Sequence, residues 1–123
     1  MDLLIERDLA GRFICTLVDE SCTATVTASN VPEAGAVLTA ALDEARDSGY
    51  GECFWSEQGG DYRWMFRRED RRVTVVVLWS SGVITGWAHV FRSEADFDWL
   101  DGRMRGELAK LEVRSENSVT TDI

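Results

Sequence analysis

The chain has 123 residues and a formal net charge of -9, and 45% of its residues are hydrophobic. A chain of this length and composition can bury a core as a single domain and is too apolar to be disordered. The negative charge argues against nucleic-acid binding, because neutralising phosphates requires a basic surface.

The first 28 residues predict three strands. Apolar runs at 3–7 and 12–18 flank a short polar segment, which is the pattern of a β-hairpin. Residues 22–28 then alternate between small apolar side chains and threonines, as a strand does when one face lies in the core.

A helix is predicted from residue 32 to residue 47, where apolar side chains recur at helical spacing. Ser29 or Asn30 can accept hydrogen bonds from the free N–H groups of the first turn, and Pro32 suits that turn. Gly49 is a suitable C-terminal stop, because glycine adopts the left-handed conformation at little steric cost.

The segment 50–92 holds four of the five tryptophans and the only histidine. Its apolar runs are separated by short turns, so we expect sequential antiparallel pairing of four strands. These strands are predicted at 52–56, 62–68, 72–79 and 83–92. A second helix is predicted at 94–112, where apolar residues again recur at helical spacing.

These elements predict an α+β fold, in which a curved antiparallel sheet of about seven strands follows the order β-β-β-α-β-β-β-β-α. Both helices are expected to pack on one face of the sheet. Residues 1–113 are predicted to form one domain, and 114–123 a flexible C-terminal tail. The central strands are partly apolar on both faces, so the face without helices is expected to need a second cover.

No metal or cofactor is predicted. Cys15, Cys22 and Cys53 are odd in number and lack the Cys-x-x-Cys spacing, so we expect neither a disulfide framework nor a zinc site. The sequence also lacks glycine-rich phosphate-binding patterns, His-Glu-x-x-His and Gly-x-Ser-x-Gly. The N-terminus has no signal-peptide pattern and no apolar run is long enough to span a membrane, which predicts a cytoplasmic protein.

The candidate binding residues lie in the central segment. Residues 63–72 carry five arginines against two acidic residues, within an otherwise acidic chain. These arginines are either solvated strand-edge charges or part of a binding face, and the tryptophans either fill the core or contribute to that face. Trp and Arg are enriched among the residues that dominate protein interfaces. The predicted binding residues are Trp55, Arg63, Trp64, Arg67, Arg72, Trp87 and His89.

His89 is the one side chain that titrates near neutral pH by default. If the protein is an enzyme, His89 would be its general base and Glu52 a carboxylate that orients it. A single histidine in a strand is more often a structural residue at the core edge, so we interpret the chain as non-enzymatic.

The sequence therefore predicts a bacterial cytoplasmic binding protein, most concretely an immunity-type inhibitor that binds and neutralises a toxin. Arginine greatly outnumbers the single Lys110, which is typical of G+C-rich bacterial genomes. The negative charge would attract a basic toxin domain. Two alternatives stay open. One is a small-molecule-binding protein or small acid/base enzyme with a pocket between sheet and helices, and the other is a module that forms a homodimer.

Overall fold

The computed structural model describes residues 1–29, 31–82 and 86–121, with side chains up to residue 111. The predicted α+β fold and its element order are confirmed. The elements are β1 (Asp2–Arg7), β2 (Phe13–Val18), β3 (Thr23–Ala28), α1 (Val31–Ser48), β4 (Tyr50–Glu57), β5 (Gly60–Glu69), β6 (Arg72–Ser81), β7 (Ala88–Asp96) and α2 (Phe97–Thr121). Asn30, predicted as a cap, and residues 83–85, predicted as strand, lie outside the described residues.

The seven strands form two antiparallel sheets instead of one. Strands β1, β2 and β3 pair in that order in a three-stranded sheet, and β4 to β7 pair in order in a four-stranded sheet. Each strand pairs with its neighbour along the chain, as the short turns predict. The sheets are separated in sequence by α1, so no local turn chemistry couples β3 to β4.

Helix α1 lies directly against β4. The helix ends as predicted at Gly49, whose φ is 88° and whose N–H donates to the carbonyl oxygen of Ala45 at 3.0 Å. A Cβ added to Gly51 would lie 1.9 Å from the carbonyl oxygen of Ala41. Glycine is therefore required where the backbone of β4 passes the backbone of α1.

Helix α2 begins three residues later than predicted, at Phe97, because β7 continues its pairing with β6 as far as Asp96. The Asp96 carboxylate then accepts a hydrogen bond from the N–H of Trp99 at 3.0 Å, as a capping residue does. The backbone is helical to Thr121, beyond the predicted end of the helix. Within the described residues, neither helix is long and apolar enough to cross a membrane.

One core cluster joins both helices and both sheets. It occupies one side of β4–β7, which we call the inner face, and the opposite side is the outer face. In the middle of β4 and β5 and in the first half of β6 every second residue is buried, as the two-residue period of a strand requires. The largest fully buried side chains include Trp55, Trp64, Phe66, Phe91, Leu38 and Met104.

The Glu57 side chain links the two sheets. Its carboxylate accepts hydrogen bonds from the hydroxyls of Thr27, at 2.9 Å, and Ser29, and it forms an ion pair with Arg12 at 3.2 Å. Beside it, the N–H of Ser29 donates to the carbonyl oxygen of Ser56 at 3.4 Å. Glu57 at the end of β4 thus holds the end of β3 in place.

A register shift between β6 and β7 changes which side chains share a face. The alternation of residues predicts that His89 and Phe91 lie on the same face. In the structure Phe91 pairs with Val77, but His89 pairs with Leu78, and Val90 is the extra residue between them. Directly opposed residues of an antiparallel pair share a face. Phe91 therefore lies on the inner face and His89 on the outer face, and that prediction was wrong.

Candidate functional site

The outer face of β4–β7 is a surface without a packed cover in the part of the chain that the structure describes. The apolar side chains of Met65, Val76 and Leu78 lie on it and are half-buried, but they do not belong to the core cluster or to its packed margin. Both helices bury their apolar stripes on the inner side. The outer face is therefore the natural candidate for a binding surface.

An aromatic cluster occupies one end of this face, and it consists of Phe54, Arg63 and Trp87. The ring centroids of Phe54 and Trp87 are 6.0 Å apart, with the planes tilted by 42°. The guanidinium carbon of Arg63 lies 5.6 Å from the centroid of the Trp87 ring, within cation–π range. Phe54 is 46% exposed and Trp87 is 42% exposed, so both rings present a large apolar area to solvent.

Glu52 and Tyr50 fix the position of Arg63. Two nitrogens of the Arg63 guanidinium contact the same carboxylate oxygen of Glu52, Nη2 at 2.6 Å and Nε at 2.8 Å. The Tyr50 hydroxyl donates to that oxygen at 2.9 Å. Hydrogen bonding from Arg63 lowers the pKa of Glu52, and partial burial together with Glu52 raises the pKa of Tyr50. Arg63 is therefore held under the Trp87 ring before any partner binds.

A cationic depression occupies the other end of the outer face, with a volume of about 580 Å³. Its charged rim includes Arg67, Arg72 and Arg92, which come from three adjacent strands. Its floor contains Met65 and Val76, which are half-buried. Among the residues that the structure describes, these three arginine side chains make no ion pair and no hydrogen bond.

The structure brings five of the seven predicted binding residues to the outer face, namely Arg63, Arg67, Arg72, Trp87 and His89. The other two, Trp55 and Trp64, are buried on the inner face with exposures of 1% and 0%. Their ring centroids lie 5.1 Å apart, and the indole N–H of Trp55 donates to the carbonyl oxygen of Ala34 at 3.1 Å. The tryptophans are thus divided between core and surface, and do not form one band.

The two candidate catalytic residues are not brought together. Glu52 lies on β4 and exposed His89 lies on β7, so two strands separate them. Three strand spacings place their backbones about 14 Å apart. Glu52 is instead paired with Arg63. No arrangement of a general base with an orienting carboxylate is formed by these two side chains.

Sequence reasoning missed Phe54 and Arg92. Phe54 was not predicted as a binding residue because the prediction on β4 used Trp55, which lies on the opposite face of the strand. Arg92 lies outside the basic segment 63–72 but shares the outer face with it, because it pairs with Val76. A consistent assignment of alternate residues to two faces on all four strands could have found both side chains.

Cys15, Cys53 and the acidic residues offer no second site among the described residues. No group of three or more potential metal ligands is present in this part of the chain. Burial raises the pKa of the Cys15 thiol and raises that of Cys53 to about 12, so neither is a ready nucleophile at neutral pH. Comparisons with protein-family models, with curated proteins and with solved structures found no significant match to this chain.

Proposed function

We propose that this protein is a non-enzymatic binding protein that docks another protein on the outer face of β4–β7. The observation that carries the proposal is the exposed aromatic cluster of Phe54, Arg63 and Trp87 on a sheet face that no described element covers. Aromatic and arginine side chains supply most of the binding energy in many interfaces, especially where they are rigid before binding.

The geometry of the cluster supports a preorganised anchor. Arg63 is held by Glu52 and lies over the Trp87 ring, so little side-chain freedom remains to be lost on association. Phe54 and Leu78 flank Arg63 on neighbouring strands and extend the apolar surface around it. A partner with a complementary apolar patch would bury both aromatic rings.

An immunity-type inhibitor is the specific form of this function that we propose. The formal net charge of -9 would speed the approach of a basic toxin domain, since long-range attraction acts on the association rate. In the bound state the partner would cover the aromatic cluster. The arginines at the other end of the face would then meet acidic groups of the toxin or stay in solvent.

The test is affinity capture from the source cell with matched tryptophan variants. Trp87→Ala removes the anchor, and Trp99→Ala removes a second tryptophan that is 40% exposed on α2. We expect the wild type and Trp99→Ala to retain the same purified protein with an affinity of about micromolar or tighter. Trp87→Ala should lose it. Equal retention by both variants would sink the proposed site.

The toxin-inhibitor form has its own test, which is co-expression with the product of the neighbouring gene. If that product arrests growth, the wild-type protein should restore growth and Trp87→Ala should restore it poorly. A captured partner that is not toxic would support the docking function and contradict the immunity role.

Self-association is the competing occupant of the outer face. Measurement of solution mass up to high protein concentration distinguishes it from a separate partner. We expect a monomer, because the formal net charge of -9 makes two copies of the chain repel each other. A dimer that Trp87→Ala dissociates would show that the occupant is a second copy.

A further inference from the structure

The arginines of the cationic depression differ from the ion-paired arginines in having no carboxylate of a described residue within ion-pair distance. In the part of the chain that the structure describes, five other arginines form ion pairs with carboxylates, namely Arg12, Arg46, Arg63, Arg103 and Arg105. Of the described arginines without such a pair, Arg67, Arg72 and Arg92 converge on one depression, whereas Arg7, Arg68 and Arg71 do not line it. Arg72 is directly opposite Glu69 and Asp96 on the neighbouring strands, so carboxylates beyond ion-pair distance only partly offset the repulsion among the three arginines.

The register shows how the three guanidinium groups surround the depression. Arg67 on β5 pairs with Thr74 on β6, two residues along the strand from Arg72. Arg92 on β7 pairs with Val76 on the same strand. With the strand spacing and the offset along the strands both counted, the backbones lie about 8 Å apart for Arg67 and Arg72, about 12 Å for Arg67 and Arg92, and about 14 Å for Arg72 and Arg92. A single compact anion can meet more than one of the long arginine side chains at that separation.

Two glutamates limit the charge of the ligand. Glu69 and Glu94 also line the depression, and neither forms an ion pair with a described residue. Three arginines against two glutamates leave a single excess positive charge. The rim therefore favours one phosphate or carboxylate group over an extended polyanion such as nucleic acid, which needs a continuous basic surface.

The floor of the depression adds an apolar requirement. Met65 and Val76 are half-buried at its base, and the ring of Tyr50 lines its side. The volume of about 580 Å³ lies in the range of roughly 300–1,000 Å³ that small-molecule sites occupy. Methionine adapts its shape easily, so such a floor can accept a flat apolar group.

We infer that this depression binds a small molecule that carries one phosphate or carboxylate group on an apolar body. The arginines hold the anionic group through charge-assisted hydrogen bonds, and the apolar body lies on Met65 and Val76. This inference goes beyond the docking function and does not depend on it, because the aromatic cluster lies at the other end of the face.

The test is titration of the protein with phenyl phosphate and with benzoate, followed by NMR. Saturable shifts should appear at the Met65 methyl group and at the Nε–H groups of Arg67, Arg72 and Arg92. Both probes share a phenyl ring, so the tighter one identifies the preferred anionic group. Inorganic phosphate should bind at least tenfold more weakly than phenyl phosphate, as roughly expected for the loss of an apolar group of that size.

The affinities of three variants for phenyl phosphate distinguish binding in the depression from nonspecific attraction to any positive charge. Arg72→Gln should weaken phenyl phosphate about tenfold, the worth of a charge-assisted hydrogen bond. Glu94→Gln should tighten it, because it removes an opposing charge from the rim. Arg71→Gln is the matched control, since exposed Arg71 carries the same charge but does not line the depression.

The inference is overturned if neither probe gives a saturable shift at Met65, or if Arg71→Gln weakens binding as much as Arg72→Gln. Equal affinity for inorganic phosphate and phenyl phosphate would also overturn it, because the apolar floor would then play no part. Trp87→Ala should leave phenyl phosphate binding unchanged, so failure of the docking proposal and failure of this inference can be told apart.

Discussion

The two faces of β4–β7 are built from the same four strands, yet they have opposite properties. On the inner face Trp55, Trp64 and Phe66 are almost fully buried and pack against one another. On the outer face Phe54 and Trp87 are nearly half exposed. Composition alone does not distinguish the two faces, because both carry large aromatic residues. The difference comes from which side the helices cover, and it separates side chains that stabilise the fold from those free to bind.

The largest expected contrast is between a tryptophan of each face. Trp64→Ala should lower the free energy of unfolding by about 3–5 kcal/mol, because it leaves a cavity in a packed core. Trp87→Ala should change it by less than about 1 kcal/mol, as surface substitutions do. Chemical denaturation of both variants measures the difference. Equal losses would mean that the outer face is packed as tightly as the inner face.

The inner face also depends on the close approach of α1 to β4. Gly51→Ala should cost about 3 kcal/mol, because its Cβ would overlap the carbonyl oxygen of Ala41. Gly102→Ala is the matched control in α2, where an added Cβ meets no atom within 4 Å. That control should stabilise the protein by about 1 kcal/mol through helix propensity. Thermal unfolding would contradict this account of the helix contact if Gly51→Ala were neutral.

The link between the two sheets should have an intermediate effect. Glu57→Ala removes the acceptor for Thr27, Ser29 and Arg12, and should lower the free energy of unfolding by about 2 kcal/mol. Glu69→Ala is the control, since Glu69 makes no ion pair with a described residue. Amide hydrogen exchange should report faster exchange in β3 for Glu57→Ala only. Unchanged exchange in β3 would show that Glu57 does not hold the sheets together.

The smallest effect concerns the polar network of the outer face. Because Arg63 lowers the pKa of Glu52 below its ordinary value of 4.5, the pair stabilises the folded state above that pH. Its contribution is lost as the pH falls through the lowered pKa. The difference in unfolding free energy between wild type and Glu52→Gln should be less than about 1 kcal/mol near neutral pH and vanish in acid. A difference that grows on acidification would contradict this ion pair.

Much of the fold follows from local patterns in the sequence. The alternation of apolar residues predicts the strands and their order, and helical spacing with Gly49 predicts α1. The division into two sheets does not follow, because the contact of β3 with β4 spans α1 and depends on side chains such as Glu57. The bulge at Val90 also cannot be predicted from local patterns, because it depends on how β6 and β7 align over their whole length.

The sequence predicts that arginine and tryptophan form the candidate site, but it does not predict which tryptophans lie on the exposed face. Arg63, Arg67 and Arg72 fall on the outer face as the two-residue period predicts, and Trp87 lies beside Arg63. Trp55 and Trp64 fall on the inner face because their strand parity matches that of Phe66 and Cys53. Sequence alone does not say which pleat the helices cover, and that choice decides which tryptophans reach solvent.

The most direct test of the docking claim is the dissociation constant of the captured partner for three forms of the protein. Isothermal titration calorimetry on the wild type, Trp87→Ala and Trp99→Ala compares two similarly exposed tryptophans on different surfaces. We predict that Trp87→Ala weakens binding by at least about thirtyfold, the 2 kcal/mol typical of an interface anchor, and that Trp99→Ala leaves it unchanged. Equal affinities for Trp87→Ala and the wild type would contradict the assignment of the outer face as the binding surface.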